Sequence, residues 1–473
     1  MTARPRQDLD PAKEALDALR AAEARDGRLD VTARKDLLRR LEHALIRRQD
    51  AMVRAVDADF GGREPMETLA AEVLVVVNAI RHARRHVARW ARPRRVSAGL
   101  PFWPSAVRIV PQPLGVVGIL SPWNYPAQLA LSPVVSALAA GNRVAVKPSE
   151  ATPRTAEILS GLLDAALGPS VARTVLGGPD VAAAFSRQPF DHLLFTGSAA
   201  TGRSVMRAAA ENLTPVTLEL GGKCPAIVMP DADPAAAARE IVLGKGFNAG
   251  QTCVAPDTVL VVGRDAQAFC DAARAAHARH YPDGLGTAIA SDRHAARLDG
   301  LVEGARVAPF GTGAGTGTGR RRPLALAPDP PPGAALLHEE VFGPVLPVVA
   351  VPDLDAAIAW VRARAAPLAI YLFSDDRAAE ARLLDGTVSG ALVVNGTIAH
   401  AAMDGLPFGG VGGSGFGRYH GEAGFLTFSN MRGHVRQARW SLSRLAAPPY
   451  GPGTERLIRM LIGRPGRGKD VQG

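Results

Sequence analysis

The chain reads as an α/β protein built on doubly wound parallel sheet, and three observations lead there. From Val116 to Thr196, apolar runs that fit buried strands alternate with helical stretches. Val116-Val117-Gly118-Ile119-Leu120 precedes a helix through Leu129 and Val135, then come Arg143-Val144-Ala145-Val146 and strands at 173–176 and 192–196. A second alternation starts at Ala226-Ile227-Val228-Met229 and runs through 259–262, 345–349, 368–373 and 392–394, giving a second α/β domain. With 473 residues the chain is too long for one core, so two or three compact units are expected.

The remaining elements follow in order. The first ninety residues read as helices, because Leu69, Val73, Val76 and Ile80 recur at spacings of three and four. At Arg92-Pro93-Arg94-Arg95 the pattern breaks, and 107–113 suggests an extended arm limited by proline. Thr152 before Pro153 reads as an N-cap with proline at the first helical position. Residues 311–319, Gly alternating with Thr and Ala, are expected to form a mobile surface loop. The tail from Trp440 mixes arginines with Leu457, Ile458, Met460, Leu461 and Ile462 and is expected to be packed or disordered rather than membrane-bound.

Composition narrows the function. With 47% hydrophobic and 21% charged residues the chain is an ordinary globular protein. A net charge of +10 raises nucleic acid or acidic membrane as partners. The excess is arginine, however, with lysine only at 13, 35, 147, 223, 245 and 469, and at 5% aromatics there are few stacking platforms. This looks like compositional bias, and neither a nucleic-acid nor a membrane partner is expected. Nothing apolar follows Arg4 and Arg6 as a signal peptide requires, and no run spans a bilayer. Three cysteines, Cys224, Cys253 and Cys270, argue against a disulfide framework and for a reducing, cytoplasmic compartment. The eleven histidines lack ligand spacing, so no metal site is expected.

Chemistry concentrates at a few turns. Gly250-Gln251-Thr252-Cys253 sets a cysteine among small, turn-favouring residues, and Leu218-Glu219-Leu220-Gly221-Gly222-Lys223 supplies a distant acid. A thiol attacks carbonyls only as thiolate, so the two have the composition of a nucleophile and its base. Taken alone, Cys253 also fits a buried small hydrophobe and Glu219 a surface charge. Ser121-Pro122-Trp123-Asn124-Tyr125-Pro126 follows a strand and holds an amide that can donate to an oxyanion, or simply form the turn. Lys147-Pro148-Ser149-Glu150 ends the next strand with a cation and a carboxylate that suit ribose hydroxyls. Phe195-Thr196-Gly197-Ser198, with Gly202 beyond it, forms another strand-to-helix turn but lacks the Gly-x-Gly-x-x-Gly fingerprint.

In this order, together with Glu339-Glu340-Val341-Phe342-Gly343-Pro344 and Pro407-Phe408-Gly409-Gly410, these motifs resemble the aldehyde dehydrogenase superfamily from about Ala12 to about Arg432. Val254-Ala255-Pro256-Asp257, Arg418-Tyr419-His420-Gly421 and Gly424-Phe425-Leu426-Thr427-Phe428-Ser429 resemble its class 3 branch, within which the chain is most similar to coniferyl aldehyde dehydrogenases. The resemblance implies an aldehyde dehydrogenase-like fold. Residues 1–92 with 116–219 would form the NAD(P)-binding, Rossmann-type domain and 220–406 the catalytic domain. Residues 93–115 with 407–445 would form a bridging and oligomerisation segment, and 446–473 a C-terminal tail.

It also implies roles. Cys253 would attack the aldehyde carbon, Asn124 and the Cys253 N–H would hold the oxyanion, and Glu219 would activate water against the thioester. The cofactor, NAD with NADP possible, would lie against Trp123, Lys147, Glu150, Gly197, Ser198, Glu340 and Phe342, with Lys147 and Glu150 at the adenosine ribose, Ser198 at the pyrophosphate and Glu340 at the nicotinamide ribose. The implied reaction oxidises an aromatic or a medium-to-long aliphatic aldehyde to its acid, in a homodimer. Trp123 and Phe408 fit either the core or the substrate entrance. Cys224 and Cys270 read as structural thiols. Thr258 and Asn395-Gly396 depart from the class 3 pattern and leave the pocket open. A coenzyme A-acylating relative is the competing enzyme, against which Glu219 argues, and a non-catalytic basic binding protein is the competing class.

Overall fold

The computed structural model describes residues 10–310, 319–441, 443–444 and 447–463. The Gly-rich stretch at 311–319 lies, but for Gly319, outside the described residues, as do 464–473 of the tail. The chain divides into two compact units, Met1–Trp90 with Pro113–Ser429 and Ala91–Gln112 with Asn430–Gly473.

The first unit opens with helices Pro11–Asp26 and Val31–Phe60, each started by an aspartate that accepts the orphan N–H groups of its first turn: Asp10 from Ala12 at 2.9 Å and Asp30 from Ala33 at 2.7 Å. A short helix, Pro65–Thr68, then widens into a π-helical turn, Leu69–Leu74, before α-helix resumes over Val75–Trp90. The extra residue in a π turn shifts the side chains around the axis. Here Val73, Val76 and Ile80 face the core as their spacing predicts, and Glu72 is buried with them.

A six-stranded sheet follows, ordered Gly415–Phe416, Val216–Leu220, His192–Gly197, Val116–Leu120, Arg143–Lys147 and Ala172–Thr174. All but the first are parallel. Val116–Leu120 and Arg143–Lys147 are buried at every residue, as parallel strands covered on both faces require. The chain winds outward from Val116–Leu120 and then returns to its other side with His192–Gly197, so the topological switch lies between those two strands. The helix Pro153–Leu167 begins where Thr152-Pro153 predicts, but Thr152 makes no side-chain cap. Asp59, from the second helix, takes that place by accepting from the N–H groups of Arg154 and Thr155 at 3.1 and 2.8 Å.

The second sheet has seven strands, ordered Ala308–Pro309, Ala325–Pro328, Val345–Val351, Thr258–Val262, Pro225–Val228, Ala369–Phe373 and Ala391–Val394, parallel apart from the first. Its core gathers Ile227, Leu260, Ile370 and Leu372 against Leu354, Ile358 and Leu383 of the covering helices. Residues 407–429 belong to this first unit. The second unit holds the arm: Arg94–Val96 pairs antiparallel with Ala106–Pro113, and Ser429–Arg436 forms the far edge of that three-stranded sheet. Helix Pro452–Ile462 follows, with none of its residues buried.

Candidate active site

Four strands of the first sheet supply Trp123, Asn124, Lys147, Glu150, Gly197, Ser198 and Glu219, at their ends or just beyond them. Leu120 leads into the Ser121–Pro126 turn with Asn124, and Lys147 closes the neighbouring strand, where its Nζ donates to the Pro148 carbonyl at 2.9 Å and to Glu150 at 3.1 Å. Gly197 ends the strand across the switch, and Ser198 caps the helix Ala199–Ala210 by accepting from Thr201 N–H. Glu219 sits within the strand Val216–Leu220.

The cysteine arrives on a strained loop. Asn248, Ala249 and Gly250 follow one another at φ 52°, 51° and 74°, a left-handed run that bulkier residues resist. At Gly250 a side chain would also meet the Gly343 carbonyl oxygen at 2.3 Å. Buried amides hold the loop: Gln251 donates to the carbonyls of Asn248 and Ala288, both at 3.0 Å, and accepts from Ala290 N–H at 2.8 Å. Cys224 lies beneath and donates its thiol to the Cys253 carbonyl at 3.4 Å.

Asn124 is pinned to the same loop. Its Nδ2 donates to the Gln251 carbonyl at 3.1 Å, which occupies one of its two amide hydrogens and leaves the other for a ligand. Its own carbonyl accepts from Asn248 at 3.0 Å and from Arg63 at 2.9 Å. Arg63 and Glu72 form an ion pair at 3.1 Å with both side chains fully enclosed, and Glu72 also accepts from Ala127 N–H at 2.7 Å. Sequence reading misses this pair, since Arg63 sits in the loop between two helices and the π turn that directs Glu72 inward leaves no trace in the spacing.

Two cavities meet at Cys253. One, of about 210 Å³, opens at the sheet's switch point and is lined by Trp123, Asn124, Gly197 and Ser198 from the strand ends, with Glu219, Cys253, Glu340 and Phe342 from the other side. Lys147 and Glu150 stand outside that lining. The other, of about 200 Å³, is walled by apolar and neutral side chains such as Val75, Phe247, Ile398 and Phe408. Leu129 and Cys253 line both.

The electrostatics of the junction favour neutral resting groups. Burial, with the Glu340 and Glu219 carboxylates beside it, pushes the Cys253 thiol up to about 12. Glu219 is 3% exposed and no described residue hydrogen-bonds either carboxylate oxygen, so burial holds it well above the usual carboxylate range, with Arg418 pulling the other way. Burial and then Asp257 push Glu340 up to about 8. The Glu340 carboxylate packs where a Gly221 side chain would stand, its oxygens 2.1 and 2.4 Å from that position, and its Oε1 has no partner.

Lys223 and Asp257, a buried pair, clamp the Glu340 segment. The lysine donates to the carbonyls of Leu336 and Glu339 at 2.8 and 3.0 Å, and Asp257 accepts from Val341 N–H at 2.9 Å. Arg297 and His294, unmarked by any motif, complete the first cavity: Arg297 donates to the Glu340 and Val341 carbonyls, and the His294 ring lies 4.4 Å from Trp123. Among the described residues no group of three or more His, Cys, Asp and Glu is placed to hold a metal ion.

Comparison with known proteins identifies the family. The aldehyde dehydrogenase family model matches residues 2–433. A probable coniferyl aldehyde dehydrogenase of Pseudomonas aeruginosa is 43% identical, over 92% of this chain and 93% of that protein. Coniferyl aldehyde dehydrogenase of Pseudomonas sp. strain HR199 is 41% identical over 95% of each, and mouse aldehyde dehydrogenase family 3 member B3 is 37% identical over 97% and 96%. Among solved structures, Staphylococcus aureus AldH in a substrate-bound state superposes with a TM-score of 0.90 at 33% identity, covering 95% of this chain and 99% of that one. The family uses NAD(P) and oxidises aldehydes to acids. By sequence and fold, the chain belongs to the aldehyde dehydrogenase family.

Proposed function

We propose that Cys253 is the nucleophile of this aldehyde oxidation and that the two cavities divide its work, cofactor on the polar side and aldehyde on the apolar side. The observation that carries the reading is that the cysteine borders both cavities. As the Cys253 sulfur attacks the aldehyde carbon, its proton passes to solvent water. Asn124, through its spare amide hydrogen, and the Cys253 N–H then hold the oxyanion, each donor typically worth roughly 2.7–4 kcal/mol of barrier. Bound NAD(P)⁺ supplies the hydride acceptor. Loss of hydride from the tetrahedral carbon leaves a thioester on Cys253. Glu219, whose desolvated carboxylate is a stronger base than usual, takes a proton from water as its oxygen attacks the acyl carbon, and the carboxylic acid departs from the regenerated thiol.

The residues present suit a dinucleotide. Ser198 and the N-terminus of a twelve-residue helix offer N–H groups to a pyrophosphate, and the unpartnered Glu340 Oε1 is an acceptor for a ribose hydroxyl. Trp123 and Phe342, with ring centroids 5.5 Å apart, furnish an aromatic wall beside it. Lys147 and Glu150 take the adenosine ribose. The Glu150 side chain is 47% exposed, and its charge disfavours a 2′-phosphate, so NAD is the preferred cofactor.

The substrate is an aromatic aldehyde such as coniferaldehyde, or a medium-to-long aliphatic one, in keeping with the apolar cavity. A homodimer fits the second unit, whose edge strand Ser429–Arg436 is exposed along nearly its whole length. Three free cysteines suit a reducing, cytoplasmic setting. The purified protein, given NAD⁺ or NADP⁺ with coniferaldehyde, benzaldehyde and hexanal, should form reduced nicotinamide and one equivalent of free acid. A protein that binds cofactor yet reduces none with any of these overturns the reading.

A further inference from the structure

We propose that the helix Pro452–Ile462 and the basic stretches around it form a membrane-surface site, which lays the apolar side of the helix on a bilayer of anionic phospholipid. The site lies in the second unit and stands whether or not Cys253 is the nucleophile.

The charge of the chain is concentrated there. The second unit, 91–112 with 430–473, carries thirteen arginines and lysines against two acids, Glu455 and Asp470. Its net +11 accounts for all of the chain's +10, and the much larger first unit is left at −1. A compositional bias spread along the chain would charge both units alike, so the excess is not one. A local excess of this size is the footprint of an anionic partner.

The helix supplies an apolar face to go with it. Successive residues turn about 100° around the axis, so Leu457, Ile458, Met460, Leu461 and Ile462 share one side, and Glu455, Arg456 and Arg459 take the other. No residue of the helix is buried, and Met460, Leu461 and Ile462 are 70%, 59% and 77% exposed. This part of the tail is therefore neither packed nor disordered. Arg459 pairs with Glu455 at 2.8 Å within the polar side, while Arg456 and, in the sequence beyond the helix, Arg464, Arg467 and Lys469 supply positive charge.

Aromatic rings with a polar tip favour the boundary between lipid and water. Trp103, Trp440 and Tyr450 of this unit are 62%, 55% and 73% exposed, whereas Trp90 of the first unit is 6% exposed. The Ala438 N–H donates to Ser105 at 3.2 Å, which ties the stretch leading to Trp440 to the one carrying Trp103.

Lipid fits this surface better than a second copy of the chain does. Pairing with the helix of another copy would cover the apolar side but bring like-charged arginines together, because dimers are usually isologous; an anionic bilayer accepts both sides. No described helix is long and apolar enough to cross a membrane, so the attachment is to the surface.

Cosedimentation of the full chain with lipid vesicles tests this. With phosphatidylcholine containing about 30% phosphatidylglycerol, in about 0.1 M NaCl, the protein should bind at least about tenfold more tightly than to phosphatidylcholine alone, and about 0.5 M NaCl should remove most of that advantage. Leu457→Glu combined with Leu461→Glu should weaken binding to the anionic vesicles by at least about tenfold. Dehydrogenase rate and oligomeric mass should stay unchanged in that variant, since neither side chain is buried. Protein that stays in solution with the anionic vesicles, or binds both kinds equally, overturns the proposal. So does binding that survives the leucine substitutions, which would reduce it to adsorption of a basic surface. A fall in the variant's mass by light scattering would show that the helix joins copies of the chain, and that too overturns it.

Discussion

The two cavities that meet at Cys253 are similar in size and opposite in construction. The first is assembled from strand ends around the switch point of a parallel sheet, and it presents carboxylates, an amide, a helix N-terminus and aromatic rings. The second is walled by side chains from the π turn, the cysteine loop and the segments near 398 and 420, and none of its described lining residues is charged. The polar cavity derives from the topology of the sheet and would suit any substrate's cofactor. The apolar one draws on helix ends and loops, and under the proposed reading it is where specificity would reside. Catalysis needs both, and the cysteine is placed where neither side can be altered without consequence for it.

The severest break is Cys253→Ala. Aldehyde oxidation should fall by at least about 10⁴-fold while dinucleotide binding, followed by fluorescence quenching, persists, because only the reacting atom is lost. Next comes Glu219→Gln, which should lower steady-state turnover by about 10²–10⁴-fold yet release a first equivalent of NADH in a rapid burst. Unimpaired turnover in that variant would remove Glu219 from its role. Glu72→Gln strikes the support of both cavities at once. It leaves Arg63 buried and under-paired, so the Asn124 turn should shift, lowering kcat by about 10²-fold, more than KM rises, and reducing the melting temperature.

A gentler probe is pH. The Cys253 thiol and the Glu219 carboxyl are both raised and both act after losing a proton, Cys253 in forming the acyl-enzyme and Glu219 in its hydrolysis, so kcat/KM and kcat should both climb from pH 6 to pH 9. A profile flat above pH 6 would show that neither group limits the reaction. The smallest effect concerns stability. A carboxyl whose folded pKa lies above its unfolded value of about 4.3 destabilises the fold as pH rises through that interval, and below it the penalty is absent. Thermal melts should therefore show Glu219→Gln gaining on the wild type between pH 5 and pH 8, with the advantage shrinking toward pH 4.

Much of the polar side is legible in sequence because its residues sit at strand C-termini, where local turn chemistry and hydropathy both leave marks. Asn124 follows an apolar run and is bracketed by prolines; Gly197 and Ser198 end another run and start a helix. The strand bearing Glu219 shows the alternation of a half-buried strand, which would turn the acid to solvent, whereas Glu219 is 3% exposed and lines the site. Side-chain partnerships over long separations leave no local signal. The Asp59 cap on the helix at Pro153 replaces the cap expected of Thr152, and the Arg63 bond to the Asn124 carbonyl and the Arg297 contacts depend on packing that no window of sequence contains. The apolar cavity is least legible, because its wall is assembled from five separate stretches of chain, near 70–75, 125–129, 247–254, 398–402 and 408–420.

The central claim is that an acyl group derived from the aldehyde is carried on Cys253 at the meeting point of the cavities. Mass spectrometry of Glu219→Gln, quenched in acid after one turnover with NAD⁺ and coniferaldehyde, tests it most directly. The account predicts a single acyl adduct on the Cys253 peptide, stoichiometric with the NADH burst and absent when NAD⁺ is omitted. Stoichiometric NADH with an unmodified Cys253, or with the acyl group on another residue, would contradict it.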